Sequence, residues 1–493
     1  MKNISIIGGG IGGMMSALLL SVKGFNVTLF EKEAVLGGRL AFHHHGNTKI
    51  DKGPTIVLLP DMLKGILKEA GVHENDYELI ECDPLYDIHF ADGTTYTKYR
   101  DKDKQMAEIS RVFPGEEAGF KEFMADMTYR FNEGKPRFLE QSFLTRWQTI
   151  QPATLNSLRK LKAFRSVSKQ LQAYFTDDRL KTAYALQTLY IGGNPFATPG
   201  IYSLVSYSEH EHGIYYVKGG YASLVDVLER AMDKRGVRIV KKAKIEEVVI
   251  EGGKASGIKY NGIFEKTDAV VLNGDFPIAE KLVRQQGRQY QPSSGCMLLY
   301  AGIKGRYVEK KIHQFYMGEN FERNMNQIFK EQRIPEDPSY YVFNPSIIDA
   351  NLAPEGESVL YVLIPVPSGD TIDWTKEKDR LAKQVLSRME TQGFTDLKER
   401  LNWLDIRTPE EAKMEGLYAG GSFGIAPTLF QSGPFRPQFQ PYPELKNVFA
   451  VGASVHPGGG VPIVMQGAKL LADGIEKMVH GKDEIKHGTD ESV

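Results

Sequence analysis

The chain has 493 residues, 41% hydrophobic and 25% charged, with 61 Lys plus Arg against 62 Asp plus Glu and a formal net charge of −1. That balance excludes a disordered protein and removes the broad basic footprint that grips nucleic acid. The two cysteines, Cys82 and Cys296, lie outside any C-x-x-C and exclude a disulfide framework or zinc ribbon, as suits a reducing cytosol.

No apolar run reaches the roughly 18 residues that a membrane-spanning helix needs. The start MKNISIIGGG carries no signal-peptide pattern, so the expectation is a soluble or peripheral intracellular protein. At roughly 150 residues per domain, two or three folding units are expected, and they can interleave.

Asn3 to Ile7 is short, apolar and β-branched, the pattern of a buried parallel strand. It runs into Gly8, Gly9, Gly10, Ile11, Gly12 and Gly13, then into the apolar helix Met14 to Leu20, which Gly24 ends. Asn26 to Phe30 is a second strand, and Glu31 follows it. Strand, glycine turn, helix, strand, acid is the context that makes G-x-G-x-x-G informative. Gly8 serves the tight turn, Gly10 lets backbone approach a pyrophosphate, and Gly13 lets helix pack on strand. The helix N-terminus stabilises the phosphate charge, and Glu31 accepts from ribose hydroxyls. An ADP-containing dinucleotide is the expected ligand. Beyond Lys32, the Gly37-Gly38-Arg39 turn offers a guanidinium to the pyrophosphate.

His43-His44-His45 lies in an extended segment where alternate side chains face opposite ways. No cysteine or carboxylate pair in the sequence completes a ligand set, so no metal site is expected. Asp51 to Thr55 is a turn able to bring the chain back to the cofactor. Leu155, Leu158, Leu161, Val167 and Leu171 recur at helical spacing among Arg159, Lys160, Lys162, Arg165 and Lys169. A basic amphipathic helix of this kind either lies on an anionic membrane or packs its apolar face on the core.

A helix is expected over Ala222 to Lys234, with strands over Val237 to Val240, Ile245 to Ile250, Ala255 to Tyr260 and Ala269 to Asn273. Cys296 falls in a buried core strand, and the Gly421 to Gly424 turn lacks a hydrolase elbow. At the far end, the buried strand Asn447 to Val451 enters Gly452, then Gly458-Gly459-Gly460-Val461-Pro462, then a helix through Leu471. A second glycine junction is what a long cofactor needs if the first holds only its ADP half. No further strand-bound G-x-G-x-x-G exists for NAD(P)H, which leaves a quinone or oxygen as electron acceptor.

Together these pieces resemble the FAD-dependent flavoproteins that include amine oxidases and, more narrowly, bacterial-type phytoene and diapophytoene (dehydrosqualene) desaturases and related carotene oxidases. The resemblance spans nearly the whole chain. Its carriers are IIGGGIGG at 6–13, GGR at 37–39, DKGPT at 51–55, QTLYIGGNP at 187–195, HGIYYVKGGY at 212–221, VLNGDFP at 271–277 and VGASVHPGGGVPIV at 451–464. It implies an α/β fold, a Rossmann-type FAD-binding domain interleaved with a substrate and membrane-facing domain. FAD-binding parts then fall at 1–80, 211–290 and 426–493, a helical membrane-facing region at 81–210 and a substrate-domain sheet at 291–425.

Carried over by residue, Gly8, Gly10, Gly12, Gly13, Glu31, Lys32, Gly38 and Arg39 hold the ADP and pyrophosphate. Gly452 sits at the second junction, Val461-Pro462 near the flavin ring, and Val248 contacts adenine through its backbone. His456 matches the desaturases' histidine-proline-glycine and is the candidate catalytic residue, while Gly459 departs from their usual alanine and is shared with terminal carotene oxidases. The resemblance implies hydride transfer from a long apolar polyene to FAD, which inserts double bonds; the rival is oxidation of terminal methyl groups to aldehydes, and a third reading is a non-catalytic FAD and isoprenoid binder. Asp51, Glu209 and Asp275 are the acids beside matched motifs, each a candidate base or a structural anchor. A polyene is insoluble in water, so the resemblance also implies a cytoplasmic protein at the inner face of the cell membrane, docked through 155–171.

Overall fold

Buried β-branched runs from distant parts of the chain meet in one parallel sheet. In this computed structural model, which describes residues 2–283 and 287–487, β1 (Asn3–Ile7) is central. It is flanked on one side by β2 (Asn26–Phe30) and then Arg238–Val240, and on the other by Ala269–Leu272 and then Val448–Ala450, all parallel. Helix α1 (Ile11–Val22) is buried along most of its length between this sheet and the long helix Val461–His487. A parallel sheet covered by helices explains why its strands read as unbroken apolar runs.

Strands of this sheet come from the three segments read as cofactor-binding, 1–80, 211–290 and 426–493; Met1 and 488–493 lie outside the described residues. A second, seven-stranded sheet runs in the order Leu401–Arg407, Gly295–Lys304, Glu357–Val366, Tyr340–Phe343, His313–Tyr316, Tyr86–His89 and Thr95–Lys98. Its last two strands come from 81–210, the region read as helical. They are short and half-polar, with Asp87 and Thr97 on one face, so no apolar run announced them.

The 155–171 reading is corrected. Two short helices, Pro152–Lys160 and Val167–Leu171, replace one amphipathic helix, and Lys162 between them has a left-handed φ of 50°. Leu158, Leu161, Val167 and Leu171 are buried and Leu155 is exposed, so all of the apolar stripe but its first residue packs inward. The hairpin β3 (Phe42–His45) with β4 (Thr48–Asp51) carries the three histidines. His43 and His45 share the Asp405 carboxylate at 2.8 and 3.0 Å and stack on Tyr300 and Trp403. Cys82 and Cys296 are both buried, free thiols.

Candidate functional site

The first glycine turn sits at the carboxyl end of β1. Gly8 has a φ of +105°, and a Cβ there would lie 2.5 Å from the Asn273 carbonyl oxygen. A Cβ on Gly13 would lie 2.2 Å from the Gly8 carbonyl oxygen, and one on Gly12 would lie 2.6 Å from Asn273 Oδ1. These three are packing glycines: they let helix, turn and the strand Ala269–Leu272 close on one another. Gly10 is different. It caps α1 in an extended conformation, and the nearest atom to its Cβ position is 3.4 Å away. Gly10, Gly38 and Gly460 open onto the same cavity of about 1260 Å³. A cradle of backbone at the start of a twelve-residue helix fits a pyrophosphate.

Asn273, which sequence reading placed only as a strand end, holds this cradle in shape. Its Nδ2 donates to the Gly8 carbonyl at 2.8 Å and the Gly10 carbonyl at 3.3 Å. Glu31 is buried and lines the cavity. Its Oε2 accepts from Gly9 N–H at 2.6 Å and its Oε1 from Glu33 N–H at 2.9 Å. Each oxygen keeps a second lone pair for a ribose hydroxyl. Lys32 and Arg39 line the cavity too; Arg39 donates to the Ser422 carbonyl at 3.1 Å, and burial lowers its pKa.

The second junction follows Val448–Ala450. Gly452 has a φ of +131°, and Gly458 and Gly460 are left-handed at +140° and +96°. Gly452, Val461 and Pro462 line the cavity, with the helix Val461–His487 starting at its edge. Arg436 was not found by sequence reading. It lines the cavity and is fixed by the carbonyls of Gln431 (2.8 Å), Ile425 (3.5 Å) and Ala453. An isolated arginine in a polar loop gives no sequence signal.

Two carried-over residues stand elsewhere. Val248 packs in the core of the strand Ile245–Glu251, and Ala243, Lys244 and Ile245 line the cavity in its place. His456 turns its ring away from the cavity: Nε2 meets the Gln141 carbonyl at 2.8 Å, and Phe143 packs edge-on at 5.5 Å. Burial pushes its pKa down to about 4, so it is neutral and positions the 138–143 segment, whose Phe138 and Leu139 line the cavity.

The other half of the cavity lies over one face of the seven-stranded sheet. Alternate residues of three strands face it, as the strand period of two leads one to expect: Cys296 and Leu298, Tyr361, Leu363 and Pro365, Phe315 and Met317; Ser339, Tyr340 and Tyr341 all border it. Tyr361, Tyr341, Phe315 and Tyr190 follow one another along this wall with ring centroids 6.3, 4.9 and 6.0 Å apart. The Tyr341 hydroxyl meets Thr55 at 2.9 Å and His313 Nδ1 at 2.7 Å, joining the wall to the turn after β4. Leu186, Leu189, Ile201, Leu204, Phe131 and Phe138 complete an apolar lining.

The three acids divide by contact. Asp51 is buried and accepts from the N–H groups of Tyr221 (3.0 Å) and Ala222 (2.8 Å); burial raises its pKa to about 6. Asp275 lines the cavity, but Tyr418 N–H (2.9 Å) and the Ser454 hydroxyl engage its two oxygens. Glu209 pairs with Lys98 at 2.8 Å, both 0% exposed, and takes the Tyr86 hydroxyl at 2.6 Å. Gln187 completes that network behind the aromatic wall. All three acids are anchors in this geometry, which supplies binding and orientation.

A family model described as flavin containing amine oxidoreductase matches residues 11–475. A 4,4'-diapolycopen-4-al dehydrogenase of Metabacillus indicus is 54% identical over 96% of each chain. A zeta-carotene-forming phytoene desaturase of Myxococcus xanthus is 34% identical, over 96% of this chain and 93% of its own. Among solved structures, an oxidoreductase from Methanosarcina mazei superposes with a TM-score of 0.65 at 15% identity, covering 96% of this chain and all of its own (100%).

Proposed function

The chain belongs to the flavin-containing amine oxidoreductases, and from that premise we propose that this FAD-dependent oxidoreductase desaturates a linear carotenoid-type polyene such as diapophytoene (dehydrosqualene). The observation that carries the reading is the continuity of one cavity from two glycine junctions into an apolar, aromatic-walled half. Bound FAD supplies the hydride acceptor. The protein's part is to seat a dinucleotide on Gly10, Gly38 and Gly460, to hold an extended polyene against Tyr361, Tyr341 and Phe315, and to keep water out. Fixing the reacting carbons in this way replaces a diffusional encounter with an oriented one.

A second reading, oxidation at a terminal carbon of a polyene already conjugated, is favoured by the relative at 54% identity, whose name denotes an aldehyde-consuming dehydrogenase. The electron acceptor would be a membrane quinone or oxygen.

No helix among the described residues is long and apolar enough to cross a membrane. We place the protein in the cytoplasm, held peripherally at the inner membrane face by a patch that shares only Leu155 with the apolar stripe of 155–171. Trp147, Ile150, Leu155, Phe164 and Phe430 are exposed, three of them at 66%, 61% and 64% for Trp147, Phe164 and Phe430. Leu158, Ala163, Ile201 and Leu429, from the same or adjacent segments, line the cavity. Exposed aromatic and aliphatic side chains around an apolar entrance suit partitioning into lipid.

The test is an anaerobic assay with FAD-loaded protein, liposomes carrying dehydrosqualene, and a quinone. A red-shifted product lighter by pairs of hydrogens is expected. No anaerobic change, with oxygen or water incorporated at the chain end when a conjugated carotenoid is supplied, replaces desaturation by the terminal reaction.

A further inference from the structure

We propose that Glu415 is a cofactor-retaining residue: it fastens a strap, residues 408–424, from the substrate half across the edge of the dinucleotide site, and this fastening slows the departure of FAD. The strap continues from the edge strand Leu401–Arg407 of the seven-stranded sheet. Its start is fixed by Thr408, which caps the helix Pro409–Met414 in a capping box with Glu411. From there it is tied to four residues of the cofactor half. Lys32 Nζ donates to the Glu415 carbonyl at 2.9 Å, and Lys52 Nζ to Glu415 Oε1 at 2.7 Å. Tyr418 N–H donates to Asp275 at 2.9 Å, and Arg39 to the Ser422 carbonyl at 3.1 Å.

Strap residues Met414, Glu415, Gly416, Leu417 and Ser422 line the same cavity as Lys32, Arg39, Lys52 and Asp275. A dinucleotide seated on the glycine turns is therefore bordered on one edge by the strap, and separating strap from turns widens that edge. Of the ties, Glu415 carries the most. Its second oxygen takes Arg407 Nη2 at 2.7 Å, so one carboxylate joins Lys52 of the cofactor half to Arg407 of the sheet. The Arg407 side chain is only 11% exposed, so loss of the carboxylate leaves a largely buried cation unpaired. Breaking such a pair acts mainly on dissociation rates. Gly416, next in the chain, has a φ of +99°, a left-handed turn immediately after the clasp.

The measurement is the rate of FAD release from the loaded protein, read by recovery of free-flavin fluorescence after large dilution into buffer, without any polyene. It is therefore independent of the substrate reading. Glu415→Gln is expected to release FAD roughly tenfold faster, as for loss of a charge-assisted pair. Wild-type release should quicken between about 50 mM and about 500 mM salt, where screening tightens, and the variant's should stay flat. If Glu415→Gln cannot be loaded, Lys52→Met, which removes one arm of the clasp, is expected to release FAD about threefold faster. A merely structural tie lowers the melting temperature of apo and loaded protein alike and leaves release unchanged. Unchanged release in the variant that loads, or salt-insensitive release in the wild type, overturns the proposal.

Discussion

The two halves of the cavity are built by opposite means. The dinucleotide half is made by removing side chains: Gly8, Gly12 and Gly13 let backbone and Asn273 meet at distances no Cβ would permit. The polyene half is made by adding them, with large rings packed tilted and edge-on along a sheet face and a charged pair sealed behind. The first half is intolerant of a single methyl group. The second tolerates apolar exchange but not the loss of one member of its buried network. Recognition of a fixed, charged cofactor needs backbone at contact distance, whereas recognition of a featureless hydrocarbon needs area.

The sharpest way to break the polyene half alone is Lys98→Met. It strands Glu209 at 0% exposure and should lower stability by about 3–5 kcal/mol, read by urea unfolding. Flavin affinity of the molecules that remain folded should not change, and a matching loss of flavin affinity would show that the halves are not separable. The converse is Gly13→Ala, whose Cβ would overlap the Gly8 carbonyl. Overpacking of about 1–3 kcal/mol is expected together with loss of copurifying FAD, checked by the flavin-to-protein absorbance ratio.

Asp51, which joins the hairpin of β3 and β4 to the helix Ser223–Lys234, gives a pH-dependent version of the comparison. Its folded pKa of about 6 lies above the ordinary carboxylate value. The folded protein therefore holds the proton more tightly, and this contribution to stability falls as pH rises from about 4 to about 6. Asp51→Asn should remove that slope, gaining roughly 2 kcal/mol on wild type across the window in denaturant titrations.

The smallest change in stability is expected at the rim. Trp147→Ser with Phe164→Ser should leave melting temperature and flavin content within error, since exposed substitutions move stability by about 0.5 kcal/mol or less. Liposome flotation should fall several-fold; undiminished flotation removes the rim from the membrane proposal.

Much of the cofactor half was legible in the chain. Its first junction is contained in the stretch from Asn3 to Glu31, where glycines and acid can be read together, although Gly8 and Gly12 close on Asn273 from a distant strand. Elements followed the reading closely there: α1, β2, the helix Ser223–Lys234 and the strand Ala269–Leu272 lie where periodicity placed them. The 155–171 helix failed because spacing reports an apolar face without saying what covers it. The side chains of Val248 and His456 were likewise placed by partners the sequence does not show: one packs in the core, the other meets the Gln141 carbonyl. A strand or a junction was correctly found, but which residue of it turns to the cavity depends on a partner element.

What the sequence determined by itself is the presence of two glycine junctions, the acid after β2 and the family whose pattern they complete, because those signals are local and sterically unforgiving. Tertiary structure alone decided the roles of the other groups. Glu209 meets Tyr86 across 123 residues, His456 meets Gln141 across 315, and Lys52 meets Glu415 across 363. A carboxylate becomes a base, an anchor or a clasp according to what burial and neighbours do to its charge, and those neighbours are chosen by the fold.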